Sequence, residues 1–251
     1  MRQFGLIGRT LSHSFSQTYF TQKFHSLGLS GHTYELFELA SIGELPALLA
    51  AHPQLVGLNV TVPYKESVTS YLDELAPSAR RVGAVNVIER RPDGSLLGHN
   101  TDVLGFRESL RRFFPAGPAG RALVLGHGGA AKAVVVALHD LGIAHQSVTR
   151  DPLGPGLTYD ELTPELIAGH PLIVNATPLG TYPHLDQCPR LPYEALGPQH
   201  YLYDLVYNPR ETLFMQRGHA AGAHTKNGFE MLQLQAEAAW DIWNGRQPET
   251  A

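Results

Sequence analysis

The stretch RALVLGHGGAAKAVVVALHDL, Arg121–Leu141, decides how this chain folds. Arg121–Leu125 is a short apolar run of the length and composition of a buried strand. Gly126, Gly128 and Gly129 follow at once, and Ala130–Leu141 then reads as a helix. Glycines between a strand and a helix permit a tight turn and let a backbone approach a pyrophosphate closely, while the helix start favours the anion. The same spelling serves a plain βα turn, so the loop alone leaves both readings open.

Working outward, Ile143–Thr149, Pro171–Asn175 and Tyr201–Val206 supply further strands, and Gly228–Trp243 a last helix. Upstream, Pro115–Gly120 is rich in Pro and Gly and marks a boundary. Before it the chain alternates again. Gln3–Gly8 reads as a strand, and Ser14–Leu27 as a helix with Phe15, Tyr19, Phe20, Phe24 and Leu27 on one face, stopped by Gly28. Tyr34–Leu39 reads as a strand, and Ser41–Ala51 as a helix with Ser41 and Glu44 in capping-box spacing. Leu55–Val60 is a strand, Glu66–Leu75 a helix, and Ala84–Arg90 with Ser95–His99 a hairpin around Asp93-Gly94. Leu104–Phe114 is helical. Helices between strands predict an α/β chain with mostly parallel sheets.

The bulk numbers exclude several classes. A chain of 251 residues with 43% hydrophobic and 17% charged residues has the make-up of an ordinary globular protein with a sizeable core. A net charge of −4 without a basic run disfavours nucleic acid as a partner. The single cysteine, Cys188, cannot form an internal disulfide, and a reducing cytoplasm is the simplest setting. The apolar N-terminal stretch is too short for a signal sequence or a membrane span. The 13 histidines lack ligand spacing, so no metal is expected.

The polar residues of the first part are the chemical clue. Ser12 and Ser14 are two hydroxyls at i, i+2, which point the same way along an extended segment. They suit a carboxylate; Ser14 equally suits a helix N-cap. In G-L-N-V-T-V-P-Y-K (57–65), Asn59 and Thr61 share one side of a strand that Pro63 ends, and Lys65 follows. Asn86 and Asp102 fall at other strand ends, where ligands gather in parallel sheets. Each could be a turn residue; together they suit a polyhydroxylated ligand.

These segments, L-I-G-R-T-L-S-H-S-F-S, N-V-T-V-P-Y-K, G-A-V-N, G-H-N-T-D, G-H-G-G-A-A, N-A-T-P-L-G, D-L-V-Y-N-P and G-F-E-M-L-Q-L-Q, run through nearly the whole chain. In this order the series resembles the shikimate dehydrogenase family. The resemblance implies an N-terminal α/β substrate domain, residues 1–103 completed by helix 229–251, and a Rossmann-like dinucleotide domain, 104–228, with the active site in a cleft between them. It implies NADP-dependent reversible reduction of 3-dehydroshikimate to shikimate, in chorismate biosynthesis, by a monomer or homodimer. Lys65 and Asp102 would be the catalytic pair. Ser12, Ser14, Thr61, Asn86, Asp102, Tyr207 and Gln235 would hold the substrate. Gly126, His127, Gly128, Gly129 and Ala130 would cradle the pyrophosphate, with Thr177, Leu205, Gly228 and Met231 near the cofactor. Rival readings are a quinate/shikimate dehydrogenase using NAD, a folate-type two-domain dehydrogenase, and a non-catalytic nucleotide or ligand sensor.

Two features need separate treatment. The family usually carries Asn-Arg-Thr and a second basic residue after the second cofactor-domain strand. Here Thr149-Arg150-Asp151 precedes Pro-Leu-Gly-Pro-Gly, and the following helix is expected to be shortened or lost. Arg150 suits the ribose phosphate of NADP, and Asp151 could instead take the ribose of NAD. Tyr19–Lys23 spells Y-x-x-x-K, a catalytic spacing in short-chain dehydrogenases, but it precedes the dinucleotide loop and reads as a pair on one helix face.

Overall fold

Alternation along β1 (Arg2–Gly8) sorts the first unit into layers. The computed structural model describes residues 2–11, 14–115, 120–154 and 156–246. Phe4 and Leu6 point to one face of their sheet and Ile7 to the other, as a period of two requires. On the first face lie α1 (Phe15–Ser26) and the aromatic end of the final helix. Phe4, Phe20, Phe24, Tyr34, Trp240 and Trp243 interlock there, with ring centroids as close as 4.7 Å for Phe20 and Tyr34. On the opposite face Leu45, Val68 and Ala79 pack against Ile7, Leu58 and Val60. Buried side chains of this size contribute about 1.5–3 kcal/mol each.

The sheet joins β1, β2 (His32–Glu38), β3 (Leu55–Val60), β4 (Glu74–Leu75), β5 (Val87–Arg90) and β6 (Leu96–His99) in the order β2-β1-β3-β5-β6-β4. β1 runs parallel to β2 and β3, whereas β5 is antiparallel to both β3 and β6. The hairpin expected at Asp93-Gly94 is present, with Asp93 Oδ1 accepting from Ser95 N at 2.9 Å and Gly94 at φ +89°. Helices α2 (Leu45–Ala51) and α3 (Pro77–Val82) lie between strands of this sheet in sequence.

The second sheet is wholly parallel. It contains β7 (Arg121–Leu125), β8 (Ala144–Thr149), β9 (Leu157–Thr158), β10 (Leu172–Asn175), β11 (Tyr201–Asp204) and β12 (His224–Lys226), ordered β12-β11-β10-β7-β8-β9. The chain starts in the middle, winds outward to β9, returns beside β7 at β10 and winds outward again. That order is the doubly wound nucleotide-binding arrangement, with its reversal between β7 and β10. Near-continuous apolar strands fit burial on both faces. Leu123, Leu125, Ile173 and Leu202 join Ile167, Phe214 and Met215 of α6 (Pro164–Ala168) and α7 (Leu213–Ala220) in one core. Phe106 of α4 (Asp102–Phe113) meets Tyr203 edge-on at 5.0 Å, and α4 packs along α5 (Gly129–Asp140).

The compact units are Met1–Thr101 with Ala236–Ala251, and Asp102–Gln235. The last helix, α8 (Phe229–Trp243), therefore gives its first half to one unit and its second half to the other. Several local expectations need correction. Glu66–Leu75 is not a helix but a 3-10 turn, Ser67–Tyr71, followed by β4. Its hydroxyls bond carbonyls three residues back, Thr69 Oγ1 to Glu66 O at 2.7 Å and Ser70 Oγ to Ser67 O at 3.0 Å, which competes with helix propagation. Leu27 is not on the buried face of α1; it caps the helix and is 55% exposed. Ser41–Ala51 begins as a 3-10 turn before α2, with Ser41 N donating to Glu44 Oε1 at 3.0 Å. The helix after Asp151, by contrast, is short as expected: a 3-10 turn, Tyr159–Glu161, and the five-residue α6.

Candidate active site

In the first unit, one end of the sheet collects the polar set. β1 and β3 end there, β5 begins there, and β6 ends there because it runs antiparallel to β5. Gly8 closes β1 so tightly that an added Cβ would lie 2.7 Å from the Thr61 methyl carbon. Thr61 continues β3, its N–H donating to Ile7 O at 2.9 Å. The chain then turns, with Tyr64 N donating to Thr61 O at 2.9 Å and Tyr64 Oη to Leu39 O at 2.6 Å. Lys65 comes next, partly buried, its carbonyl held by Val85 N at 2.7 Å. Asn86, just before β5, is buried and clamps the segment that follows β6: its Oδ1 accepts from Thr101 N at 2.7 Å, and its Nδ2 lies 2.9 Å from Thr101 Oγ1. Ser14 caps α1, its Oγ accepting from Ser16 N at 3.2 Å. Ser12 lies outside the described residues. The structure thus brings Ser14, Thr61, Lys65 and Asn86 to one end of the sheet.

In the second unit, the strand-order reversal opens a crevice beyond β7 and β10, the place where open parallel sheets bind ligands. Gly126 stands in it at φ +112°, a conformation only glycine adopts readily. A Cβ there would meet Ala176 O at 3.2 Å and Thr177 Cγ2 at 3.3 Å. Gly128 is the N-cap of α5, is exposed, and would have no atom within 4 Å of an added Cβ. That open space above the first N–H groups of a helix is what a pyrophosphate needs. Gly129 and Ala130 form the first turn of α5. Leu205 follows β11, and Gly228 presses against it so closely that a Cβ would lie 2.2 Å from Leu205 O. Tyr207 follows on the same loop and is half-buried. On α8, Met231 and Gln235 are one turn apart, and Gly105 of α4 admits their backbone, with Met231 O 2.7 Å from the position of its missing Cβ. Asp102 opens α4 and is buried. The dinucleotide set of the sequence therefore gathers in one unit, together with Asp102, Tyr207 and Gln235.

Two supports of this crevice were not foreseen. Asp204, at the end of β11, is fully buried. Its Oδ1 accepts from Asn175 Nδ2 at 2.9 Å and Val206 N at 3.0 Å, and its Oδ2 from Thr212 Oγ1 at 2.5 Å. Asn175 in turn accepts from Thr177 N at 3.0 Å and Thr177 Oγ1 at 2.6 Å. One carboxylate thus fixes both strand-end loops and the N-cap of α7. Burial pushes its pKa up to about 6, against the pull of those three donors. The signal in the sequence was an acidic residue closing an apolar strand. The second support is Glu230, which holds the start of α8. It accepts from Ser109 Oγ at 2.8 Å, Arg112 Nη1 at 2.7 Å and Lys226 Nζ. Burial works to raise its pKa, but these donors outweigh it and hold the group below the ordinary range.

The loop after β8 answers the Arg150–Asp151 question in part. Asp151 N donates to Thr149 Oγ1 at 3.1 Å, and Asp151 Oδ1 accepts from Leu153 N at 2.9 Å. One oxygen of the carboxylate is thus held by its own turn. Arg150 is exposed, and its charge reaches the Tyr159 hydroxyl, whose pKa burial raises and Arg150 works to lower. Tyr19 and Lys23 both donate to Glu237 of α8, the latter at 2.5 Å, which makes the Y-x-x-x-K spacing a helix-to-helix tie. Among the described residues no group of three or more His, Cys, Asp or Glu could hold a metal ion, and no helix is long and apolar enough to cross a membrane.

Comparison with known proteins agrees with this geometry. Residues 6–88 match the family model of the shikimate dehydrogenase substrate binding domain. A shikimate dehydrogenase (NADP(+)) from Desulforamulus reducens is 37% identical over 96% of this chain and 89% of its own length. The crystal structure of shikimate 5-dehydrogenase from Thermus thermophilus, in complex with NADP(H) and shikimate, superposes with a TM-score of 0.86 at 33% identity, covering 99% of this chain and 95% of that one. Quinate dehydrogenase from Corynebacterium glutamicum, in complex with NAD, gives a TM-score of 0.86 at 29% identity, with 99% and 95% covered. The similarity runs through both units and the identity through nearly all of the chain, so this chain belongs to the shikimate dehydrogenase family.

Proposed function

We propose that the protein catalyses the reversible, NADP-dependent reduction of 3-dehydroshikimate to shikimate. The observation that carries this reading is the pairing of two features within one chain. A polar strand-end set of Ser14, Thr61, Lys65 and Asn86 lies on a substrate-domain sheet, and a glycine loop stands at the reversal point of a doubly wound sheet. Retention of both Lys65 and Asp102 favours an enzyme over a sensor on the same fold.

The nicotinamide, when bound, supplies or takes up the hydride. The chain's own residues do the rest. Gly126, His127, Gly128, Gly129 and Ala130 receive the pyrophosphate, and Thr177, Leu205, Gly228 and Met231 shape the remaining cofactor surface. The hydroxyls of Ser12 and Ser14 hold the substrate carboxylate. Thr61, Asn86, Asp102, Tyr207 and Gln235 hold ring hydroxyls. Reduction builds negative charge on the carbonyl oxygen, and a positioned donor must stabilise and protonate it. Lys65 is that donor, with Asp102 as the second member of the catalytic pair; in the oxidation the proton leaves by the same route. Arg150 reads the ribose phosphate, and Asp151 Oδ1 is turned to Leu153 N. The cytoplasm suits this chemistry and a lone thiol.

The test is the rate of change in the reduced-nicotinamide absorbance with shikimate or quinate, each with NADP or NAD. Shikimate with NADP should give the highest kcat/KM. Lys65→Ala should lower kcat by about 10²–10⁴ with cofactor binding retained. Turnover near the wild-type rate in that variant, or a preference for quinate with NAD, refutes the assignment.

A further inference from the structure

We infer that His127, the second residue of the glycine loop, reads the 2′-phosphate of the adenosine ribose together with Arg150, and so sets the choice of NADP over NAD. This rests on the NADP reading above and adds to it a residue that the spacing alone would place only at the pyrophosphate.

Thr149 is the last residue of β8 and is nearly fully buried. Ribose recognition in doubly wound sheets occurs just beyond the end of this second strand. Thr149 Oγ1 accepts a hydrogen bond from Asp151 N at 3.1 Å. It also lies 3.5 Å from Nδ1 of His127, which reaches across from the loop after β7. A hydroxyl has one proton to give. With Asp151 N as the donor to its oxygen, the Thr149 proton is available to His127 Nδ1. When the threonine donates, the ring hydrogen sits on Nε2, at the edge turned away from Thr149. His127 and Arg150 are both exposed, the one reaching the buried threonine from the β7 loop and the other next to it in the chain.

The charges around this point favour a phosphate over a diol. Arg150 contributes a fixed cation with a donor fork that matches phosphate oxygens. Tyr159, whose hydroxyl feels that charge, contributes no anion, because burial holds its pKa above the ordinary value. Asp151 is the one carboxylate within the turn 149–153, and its Oδ1 is engaged by Leu153 N at 2.9 Å. A ribose diol would draw on both oxygens of such a carboxylate, and one of the two is held by its own turn. A dianionic phosphate needs donors; Arg150 is one, and His127 Nε2 is another in the tautomer that accepts the Thr149 proton. His127 from the β7 loop and Asp151 N from beyond β8 thus meet at one atom of Thr149, with Arg150 between Thr149 and Asp151 in the chain.

The decisive experiment uses two fragments that differ only in the phosphate at issue, adenosine 2′,5′-bisphosphate and 5′-AMP. Each is titrated calorimetrically into the wild-type enzyme, His127→Ala, His127→Gln, Thr149→Val and Arg150→Ala. Losing a hydrogen bond to a charged group should weaken bisphosphate binding in His127→Ala by about tenfold more than it weakens 5′-AMP binding. His127→Gln, which keeps a donor, should recover part of the loss. Thr149→Val, which removes the hydroxyl that orients the ring, should fall between the two. If His127→Ala weakens both fragments alike, or neither, while the wild type still discriminates between them, His127 does not read the phosphate and the NADP reading stands without it. If the wild type binds both fragments equally, the NADP reading itself has failed and this inference falls with it.

Discussion

Replacing Asp204 by Asn tests whether one buried carboxylate governs the cofactor-side loops. The group is inaccessible to solvent, and its pKa is raised from 3.8 to about 6 by burial. The native state therefore holds its proton at a pH where the unfolded chain has released it. Between those two values the native state binds more protons than the unfolded state, so stability falls as pH rises. The difference between the two values is worth about 3 kcal/mol, all of it present at low pH and lost once pH passes about 6. The Asp204→Asn side chain keeps the oxygen that faces Asn175 Nδ2 and Val206 N but cannot titrate. The wild type minus Asp204→Asn difference in unfolding free energy should thus decline by about 3 kcal/mol between about pH 4 and pH 7.5. Asp204→Ala should behave differently, because Asn175 Nδ2, Val206 N and Thr212 Oγ1 all lose their acceptor, each at about 1–3 kcal/mol. Urea unfolding followed by far-ultraviolet circular dichroism measures the difference. Hydrogen exchange at β10 and β11 localises it, since both tryptophans, Trp240 and Trp243, report on the other unit. A pH-independent difference, or one that grows in the wild type's favour with rising pH, would refute the reasoning.

Three further outcomes are expected. Gly57→Ala places a Cβ 2.2 Å from Trp243 Nε1, whose bond to Ile88 O at 3.0 Å docks the end of α8; about 1–3 kcal/mol should be lost and the tryptophan emission should shift to the red, and an unshifted spectrum at full stability would contradict the packing described. Tyr19→Phe and Lys23→Met remove a partly exposed tie to Glu237 and should cost under about 1 kcal/mol with kcat unchanged; a tenfold fall in kcat would give the Y-x-x-x-K pair a chemical role. Ser14→Ala removes a helix cap worth about 1 kcal/mol and should also raise KM for shikimate several-fold; the same stability loss with unchanged KM would leave the residue as a cap alone.

Much of the molecule was legible because its strands are buried runs punctuated by glycine. β3 and β7 begin and end where hydrophobicity does, and the Gly126–Gly129 turn lies where a strand meets an apolar helix. Local patterns misled where hydroxyls compete with the backbone, as at Ser67–Tyr71. They were too short to register at α3, α7 and β12, whose helical or extended state is held by packing rather than by propensity.

The sequence by itself determined the alternation of strands and helices, the glycine loop, and the residue types that chemistry on a carboxylated polyol would use, since these depend on neighbours within a few positions. Only the tertiary structure decided the strand order that puts Gly126 beside Thr177, and the division of α8 between two units. It also joined Asp204 to Asn175 across 29 positions and brought His127 to Thr149 across 22. The physical reason is that hydrogen bonds and burial act through space over a few ångströms. Strand pairing sets which distant residues come within that range, and no local window of sequence contains it.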